Sequence, residues 1–337
     1  MYEIRLCLYD ELHLLQDFLS KYWNKNHVFT YSEKLLKWQH AGFDEKFINF
    51  VVAYNKESRK FDAVLGFIPT QQYDITINTK DIWLAIWKVK KESTSTGIGL
   101  QLLLFLNNNY KPSSIGALGI SDDAMKIYKA FRYKTGELKH FYIKNNSLTN
   151  FTIATFNDNS RLYNKTNVSI KQITDIEFLD AKISYQYTPY KSKNYFINRY
   201  YTNEYYNYTF YALFENDIII GVFIARAILV DAAKCLRIVD WIGNYSKDLY
   251  SNFQKLLKKN NYEYIDFLCE IPNEDEIIQM GFCQKNLDNE VIPNHFEPFL
   301  KKNISIRFAY KTKVSNYAIF KADSDQDRPN KIQDLSI

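Results

Sequence analysis

The chain has 337 residues, 46% of them hydrophobic and 24% charged, with a net charge of +5. That length accommodates two ordinary domains, and the composition excludes a disordered chain. The basic residues are interspersed, not gathered into runs, so no nucleic-acid-binding arm is expected and a small anionic molecule suffices as partner for the surplus.

Residues 1–25 carry Glu3, Arg5, Asp10 and Glu11 and lack the continuous apolar run of a signal peptide. Glu3–Leu8 reads as a strand. A helix follows from Asp10, with Leu12, Leu15, Phe18 and Leu19 at helical spacing. Ser32 and Glu33 open a second helix through Lys34–His40. Phe50–Tyr54 and Ala63–Pro69 read as strands around a polar turn, and Asp81–Val89 as a strongly apolar one. After the polar loop Lys90–Thr96, Gly97 opens a helix to about Asn108. Ser114–Ile120 is then a strand, Asp122–Phe131 a helix and His140–Ile143 a strand.

Residues 146–166 are rich in Asn, Ser and Thr and read as a linker. Beyond them the plan repeats. Ser169–Gln172, Phe210–Phe214, Ile218–Ala225, Leu236–Ile242, Tyr264–Cys269 and Ile304–Tyr310 read as strands, Tyr250–Lys259 and Glu274–Met280 as helices. This order predicts an internal duplication, with domains at 1–145 and 167–312 and a tail at 313–337. The longest apolar stretch, Ile218–Val230, is too short to span a bilayer, which needs roughly 20 residues, and it contains Arg226. No transmembrane segment is expected.

Four scattered cysteines form no CxxC pair, which argues against zinc and for a reduced, cytoplasmic setting. In the tail, Asp323-x-Asp325-x-Asp327 spaces carboxylates like the start of a calcium loop but lacks the glycine and the distal glutamate. A salt-bridged tail is expected there, and no metal.

The chemistry concentrates at the turn before Gly97. A strand, a glycine-containing turn and a helix aim backbone N–H groups and a positive helix end at one point, which suits a phosphate. The sequence lacks the Gly-Lys-Ser/Thr of a nucleotide-binding P-loop, and the turn follows the fourth strand, not the first as in a dinucleotide fold.

Here the residues resemble the GNAT superfamily of N-acyltransferases. The family's Arg/Gln-x-x-Gly-x-Gly/Ala element matches Thr94, Ser95, Thr96, Gly97, Ile98 and Gly99, followed by Leu100, with Thr94 departing from Arg or Gln. Its Asn-x-x-Ala-x-x-x-Tyr-x-x-x-Gly-Phe element matches at Ala124 and Tyr128, with Ser121, Arg132 and Tyr133 as departures. The second half keeps Met280-Gly281-Phe282 but has no Gly-x-Gly, and Ile277 stands at the tyrosine position. The resemblance therefore implies an α/β fold of two tandem GNAT-like domains, each a mixed, mostly antiparallel sheet flanked by helices. Only the first is expected to bind acyl-CoA; the second is expected to shape the acceptor pocket.

Nearly the full length also resembles proteins encoded among bacterial surface-polysaccharide (O-antigen or capsule) biosynthesis genes, on Trp38–His40, Gly66–Pro69, Asp81–Val89, His295–Phe299 and Asp325–Asn330. That implies transfer of an acyl group from acetyl-CoA or another short acyl-CoA to the amine of a nucleotide-linked amino sugar. By the GNAT resemblance, the backbone of Trp87, Lys88 and Val89 lies along the thioester, Ser121 and Ala124 border the coenzyme, and Tyr128 protonates the leaving thiolate. His27 and His40 are both candidates for the base, with Glu33 or a water relay behind them. Two other readings stay open: a degenerate GNAT pair that binds a glycan precursor or a protein, and a Fem-like aminoacyltransferase.

Overall fold

The computed structural model describes residues 2–91, 97–157, 166–286, 289–296 and 299–328. In chain order its elements are β1 (Tyr2–Leu8), α1 (Leu12–Tyr22), α2 (Glu33–His40), β2 (Phe47–Asn55), β3 (Lys60–Pro69), β4 (Asp81–Val89), α3 (Ile98–Tyr110), β5 (Ser114–Leu118), α4 (Asp122–Ala130), β6 (Lys134–Glu137) and β7 (Lys139–Lys144). There follow β8 (Ser169–Gln172), α5 (Asp175–Asp180), α6 (Lys193–Phe196), β9 (Thr209–Glu215), β10 (Ile218–Val230), β11 (Ala233–Gly243), α7 (Tyr250–Asn260), β12 (Tyr264–Glu270), α8 (Asp275–Gln279), β13 (Cys283–Gln284), β14 (Arg307–Lys311) and β15 (Ile319–Phe320). Among the described residues no helix is long and apolar enough to cross a membrane.

Two compact units result: 2–135 with 308–313, and 136–307 with 314–328. One sheet runs β1-β2-β3-β4-β5-β14-β6, the other β8-β9-β10-β11-β12-β7-β13. The two orders match position for position. β4 pairs with β5 and β11 with β12 in parallel, while β1-β2-β3-β4, β5-β14, β8-β9-β10-β11 and β12-β7-β13 pair antiparallel.

The sixth position in each sheet departs from expectation. The strand expected at His140–Ile143 to close the first domain forms, but it pairs with β12 in the second sheet, Phe141 opposite Phe267. The strand expected at Ile304–Tyr310 forms as β14 and pairs with β5 in the first sheet, Ala309 opposite Ala117. Each sheet thus takes one strand from the other half of the sequence. Both strands are short and apolar, so the period-two pattern identifies them as strands without naming the sheet that receives them.

In the first unit local signals do what their chemistry dictates. Leu12, Leu15, Phe18 and Leu19 form the buried stripe of α1. The Ser32 hydroxyl caps α2 by accepting from the Leu35 N–H at 3.3 Å, a donor the helix itself leaves unpaired. Leu102, Leu103 and Leu106 of α3 pack with Val51, Leu65, Ile82 and Leu84 of the sheet, in a core that also holds Tyr128.

The second unit is built around an aromatic row. Tyr211, Phe223 and Trp241 stack across β9, β10 and β11, and Phe253 of α7 closes on Phe223. The tail behaves as the expected salt-bridged segment: Asp323 reaches the buried Lys191 at 2.8 Å and Asp327 reaches the buried Arg199 at 2.9 Å.

Candidate functional site

In the first sheet β4 and β5 run side by side only from Asp81 opposite Ser114 to Leu84 opposite Ala117. At the closed end the Ser114 hydroxyl donates to Asp81 at 2.6 Å. Past Leu84 the pairing ends, one residue before the end of β5, while β4 runs on to Val89. On its other edge β4 stays paired with β3, but Leu65 faces Trp87 while Phe67 faces Leu84, so β4 carries an extra residue opposite Gly66. Such a bulge bends and twists the strand that holds it, here at the residues where pairing with β5 ends. Burial changes at the same point: Ile82, Trp83 and Leu84 are buried, whereas Trp87, Lys88 and Val89 are half-buried. Ala85–Val89 therefore presents one backbone edge to a cleft, with no described strand on it. Strand interiors rarely hold glycine unless a bulge or close approach needs it. Gly66 meets that need twice, opposite the bulge and against the Phe50 ring, from which a Cβ would lie 2.7 Å away; Ala85 and Ile86 lie on the candidate edge of β4 although no motif marks them.

The N-terminus of α3 stands at the mouth of this cleft. Gly97 is left-handed at φ +79°, the turn that brings the chain from the loop into the helix. A Cβ on Gly99 would lie 2.9 Å from a Val89 methyl and 3.3 Å from the Trp87 indole nitrogen. Only glycine lets the first turn of α3 lie on β4 this closely. Ile98 is buried and Leu100 half-buried in the same turn. Thr94, Ser95 and Thr96 lie outside the described residues.

From α4, Tyr128 packs against the same tryptophan, its ring centroid 5.7 Å from that of Trp87 and 5.1 Å from that of Tyr133. It is 1% exposed. Burial, with a smaller contribution from Tyr133, holds its phenol pKa well above the ordinary value, so the proton stays on oxygen. Ser121 is the N-cap of α4, its hydroxyl accepting from the Ala124 N–H at 3.3 Å. Arg132, in the place of the family's glycine, still adopts the left-handed conformation (φ +60°) that ends α4 and lets the Tyr133 N–H reach the Tyr128 carbonyl at 3.0 Å. The geometry of the turn survives the substitution.

The structure brings together Trp87, Val89, Gly97, Ile98, Gly99 and Tyr128. The histidines serve the packing around α2. His40 is fully buried; its Nδ1 lies 3.1 Å from the Phe67 carbonyl and its Nε2 3.0 Å from the Gln39 amide, with Phe29 and Phe50 on its ring. The Nδ1 of His27 accepts from the Phe29 N–H at 3.2 Å, capping a short helical turn, and the residue is 6% exposed. Glu33 forms an ion pair with Lys37.

The second unit has the same parting of strands, and there it is filled. β11 pairs with β12 only from Leu236 to Ile238, and an extra residue, Val239, again bulges the fourth strand. Into the gap comes the tail. β15 pairs with β12, Phe320 opposite Cys269, and the Ala322 N–H donates to the Val239 carbonyl at 3.0 Å. The missing Gly-x-Gly thus coincides with a cleft closed by the chain's own tail.

No protein-family model matches the sequence, and no curated protein matches it either. Among solved structures, the chain is similar to a GCN5-related N-acetyltransferase from Anabaena variabilis ATCC 29413, with 12% identity, a TM-score of 0.57 and coverage of 92% of this chain and 72% of that one. It is also similar to a conserved protein from Enterococcus faecalis V583 described as a probable N-acyltransferase, with 10% identity, a TM-score of 0.54 and coverage of 93% and 72%. At these identities the likeness is one of fold. The chain has the fold of the GCN5-related N-acetyltransferases.

Proposed function

We propose that the chain is an acyl-CoA-dependent N-acyltransferase whose first unit holds the donor, acetyl-CoA or another short acyl-CoA. The observation that carries this reading is the cleft where β4 leaves β5, with the glycine-opened N-terminus of α3 at its mouth and the protonated Tyr128 beside Trp87. The free N–H groups of a helix N-terminus suit a pyrophosphate, and Gly97–Leu100 supplies them, with Thr94, Ser95 and Thr96 leading in. The open edge of β4 offers backbone groups to an extended pantetheine arm and its thioester carbonyl, in the manner of an added strand.

Each side chain then has a bounded task. As the acceptor amine bonds to the thioester carbon, charge grows on the carbonyl oxygen, and backbone N–H groups of Ala85–Val89 stabilise it. When the C–S bond breaks, sulfur takes the Tyr128 proton, and the phenolate is reprotonated by the proton the amine releases to water. The burial that holds the Tyr128 phenol neutral also disfavours a free thiolate, so both partners of that transfer are shifted in the same direction. The amine loses its proton to water, since His27 and His40 are committed to the packing around α2.

The acceptor we propose is the amine of a nucleotide-linked amino sugar, in cytoplasmic surface-polysaccharide biosynthesis. Support comes from the sequence resemblance and from the net positive charge, which favours anionic substrates. Thiol release from acetyl-CoA, followed across a panel of nucleotide-linked amino sugars, tests it. Acceptor-dependent release with one of them is the expected result. Release that occurs only with aminoacyl or peptide amines overturns the acceptor assignment.

A further inference from the structure

The second unit contains a buried lysine that the acyl-transfer reading does not use. Lys321, two residues before Asp323, lies in the segment that fills the gap between β11 and β12, and it is 3% exposed. Around it the arginines have carboxylates. Arg237 binds Asp266 at 2.7 Å, Arg199 binds Asp327 at 2.9 Å, and Arg328 lies 4.0 Å from Asp325. The Lys321 ammonium makes no hydrogen bond and no ion pair with any described residue. Lys321 is nearly buried and has no direct ion pair, with Asp327, Asp266 and Asp325 acting on it only at a distance; keeping such an ammonium charged is costly, and an anion bound at its head would offset that cost.

Nearby groups point the same way. The carbonyl of Asn294 accepts from Arg237 at 3.0 Å, while its side-chain oxygen is buried and has no partner. The adjacent His295 is exposed. Burial, then the charges of Lys321, Arg237 and Lys302, hold its imidazole below the usual pKa. On the sheet beneath, Arg226 stands directly opposite Arg237, the two basic residues on neighbouring strands.

We propose that Lys321 is the floor of a binding site in the second unit for a small oxyanion, the carboxylate or phosphate group of a small molecule, entered past His295. Lys321 supplies the ion pair, Arg237 a second fixed positive charge, and the Asn294 side-chain oxygen an acceptor for a hydroxyl on the ligand. The site depends on nothing in the first unit's chemistry.

Protonation of Lys321 controls occupancy. Burial, and then Arg237, push its pKa down to about 7, against Asp327, Asp266 and Asp325. Arg237 and Asp266 face it from the sheet, Asp325 and Asp327 from the tail, and His295 from the preceding loop. An oxyanion binds the charged form, so binding is strong at pH 6 and is lost as pH rises past 8.

The test is thermal unfolding of the full chain in sodium phosphate and in sodium acetate, each against sodium chloride of equal ionic strength, at pH 6 and pH 8.5. A rise in melting temperature over chloride at pH 6 that vanishes at pH 8.5 and in Lys321→Met is expected. The anion that gives the larger rise identifies the group as phosphate or carboxylate. Equal rises in wild type and Lys321→Met, or none over chloride, overturn the site. If Lys321→Met does not fold, spectra of the wild type labelled with 13C at lysine Cε decide it. The lysine that titrates near neutrality should move its midpoint up by about one pH unit at an anion concentration ten times the dissociation constant. An unmoved midpoint also overturns the site.

Discussion

Tyr128 and Trp87 are ring neighbours, 5.7 Å between centroids, although one lies on α4 and the other at the open end of β4. The contact ties the residue assigned to proton donation to the strand edge assigned to the thioester.

Tyr128→Phe therefore isolates the hydroxyl. No described residue hydrogen-bonds it, so the replacement should change stability by less than about 1 kcal/mol. Turnover should fall by about 100-fold, within the range of a lost general acid. Steady-state kinetics with acetyl-CoA check this, and an unchanged kcat removes Tyr128 from the mechanism.

Gly97 and Gly99 should respond differently to alanine. At Gly97 a Cβ meets nothing within 4 Å, and the cost is the left-handed backbone, about 1–2 kcal/mol. At Gly99 the new methyl collides with Val89 and Trp87, an overpacking cost of about 1–3 kcal/mol that pushes the start of α3 off β4. Calorimetric titration should show acetyl-CoA affinity falling at least tenfold in Gly99→Ala and by a smaller factor in Gly97→Ala.

Arg132→Gly should stabilise the protein. The left-handed backbone at φ +60° suits glycine, and the gain, reduced by glycine's greater freedom in the unfolded chain, is about 0.5–1 kcal/mol. Urea unfolding measures it; a loss of stability would show that the arginine side chain contributes more than its backbone costs.

His140 makes the fold acid-sensitive. Burial lowers its pKa to about 4, against the opposing effect of Asp266. Burial alone would raise Asp266, but Arg237 and His140 outweigh it and hold the carboxylate at about 2. An unfolded histidine titrates near 6.5. Between pH 6.5 and 4 the unfolded chain takes up a proton that folded His140 refuses, so stability falls as pH drops through that window, by about 3 kcal/mol in all. The Asp266 contribution is present above pH 4 and is lost only as pH falls further toward 2. In His140→Gln, whose amide can still donate to Asp266, the upper slope should disappear and the lower one remain. Denaturant midpoints measured from pH 7 to pH 3 resolve the two windows.

Much of the first unit was legible because its signals are local. Asp81–Val89 is apolar over a strand's length, Ser32 and Ser121 cap the helices they precede, and Gly97 stands where the backbone turns left-handed. What escaped is non-local. Nothing in Lys139–Lys144 or Arg307–Lys311 tells which sheet will receive it, because a short strand with an apolar centre fits the sixth place of either sheet. The bulge at Ala85–Ile86 has no local mark, since Gly66 opposite it is also the glycine that leaves room for the Phe50 ring. His40 looked available on a helix flanking the cleft, yet its neighbours Phe29, Phe50 and Phe67 come from three other segments. The tail's function as a filler of the second cleft could not be read from three spaced aspartates, since Lys191 and Arg199 lie more than a hundred residues earlier.

The central claim is that the opening between β4 and β5 holds an acyl-CoA. Unfolding free energy of the full chain, measured with and without acetyl-CoA, tests it most directly. At one hundred times the dissociation constant the ligand should add about 2.7 kcal/mol, with the gain sharply reduced in Gly99→Ala. No stabilisation by acetyl-CoA or any other short acyl-CoA, or an equal gain in Gly99→Ala, would contradict it.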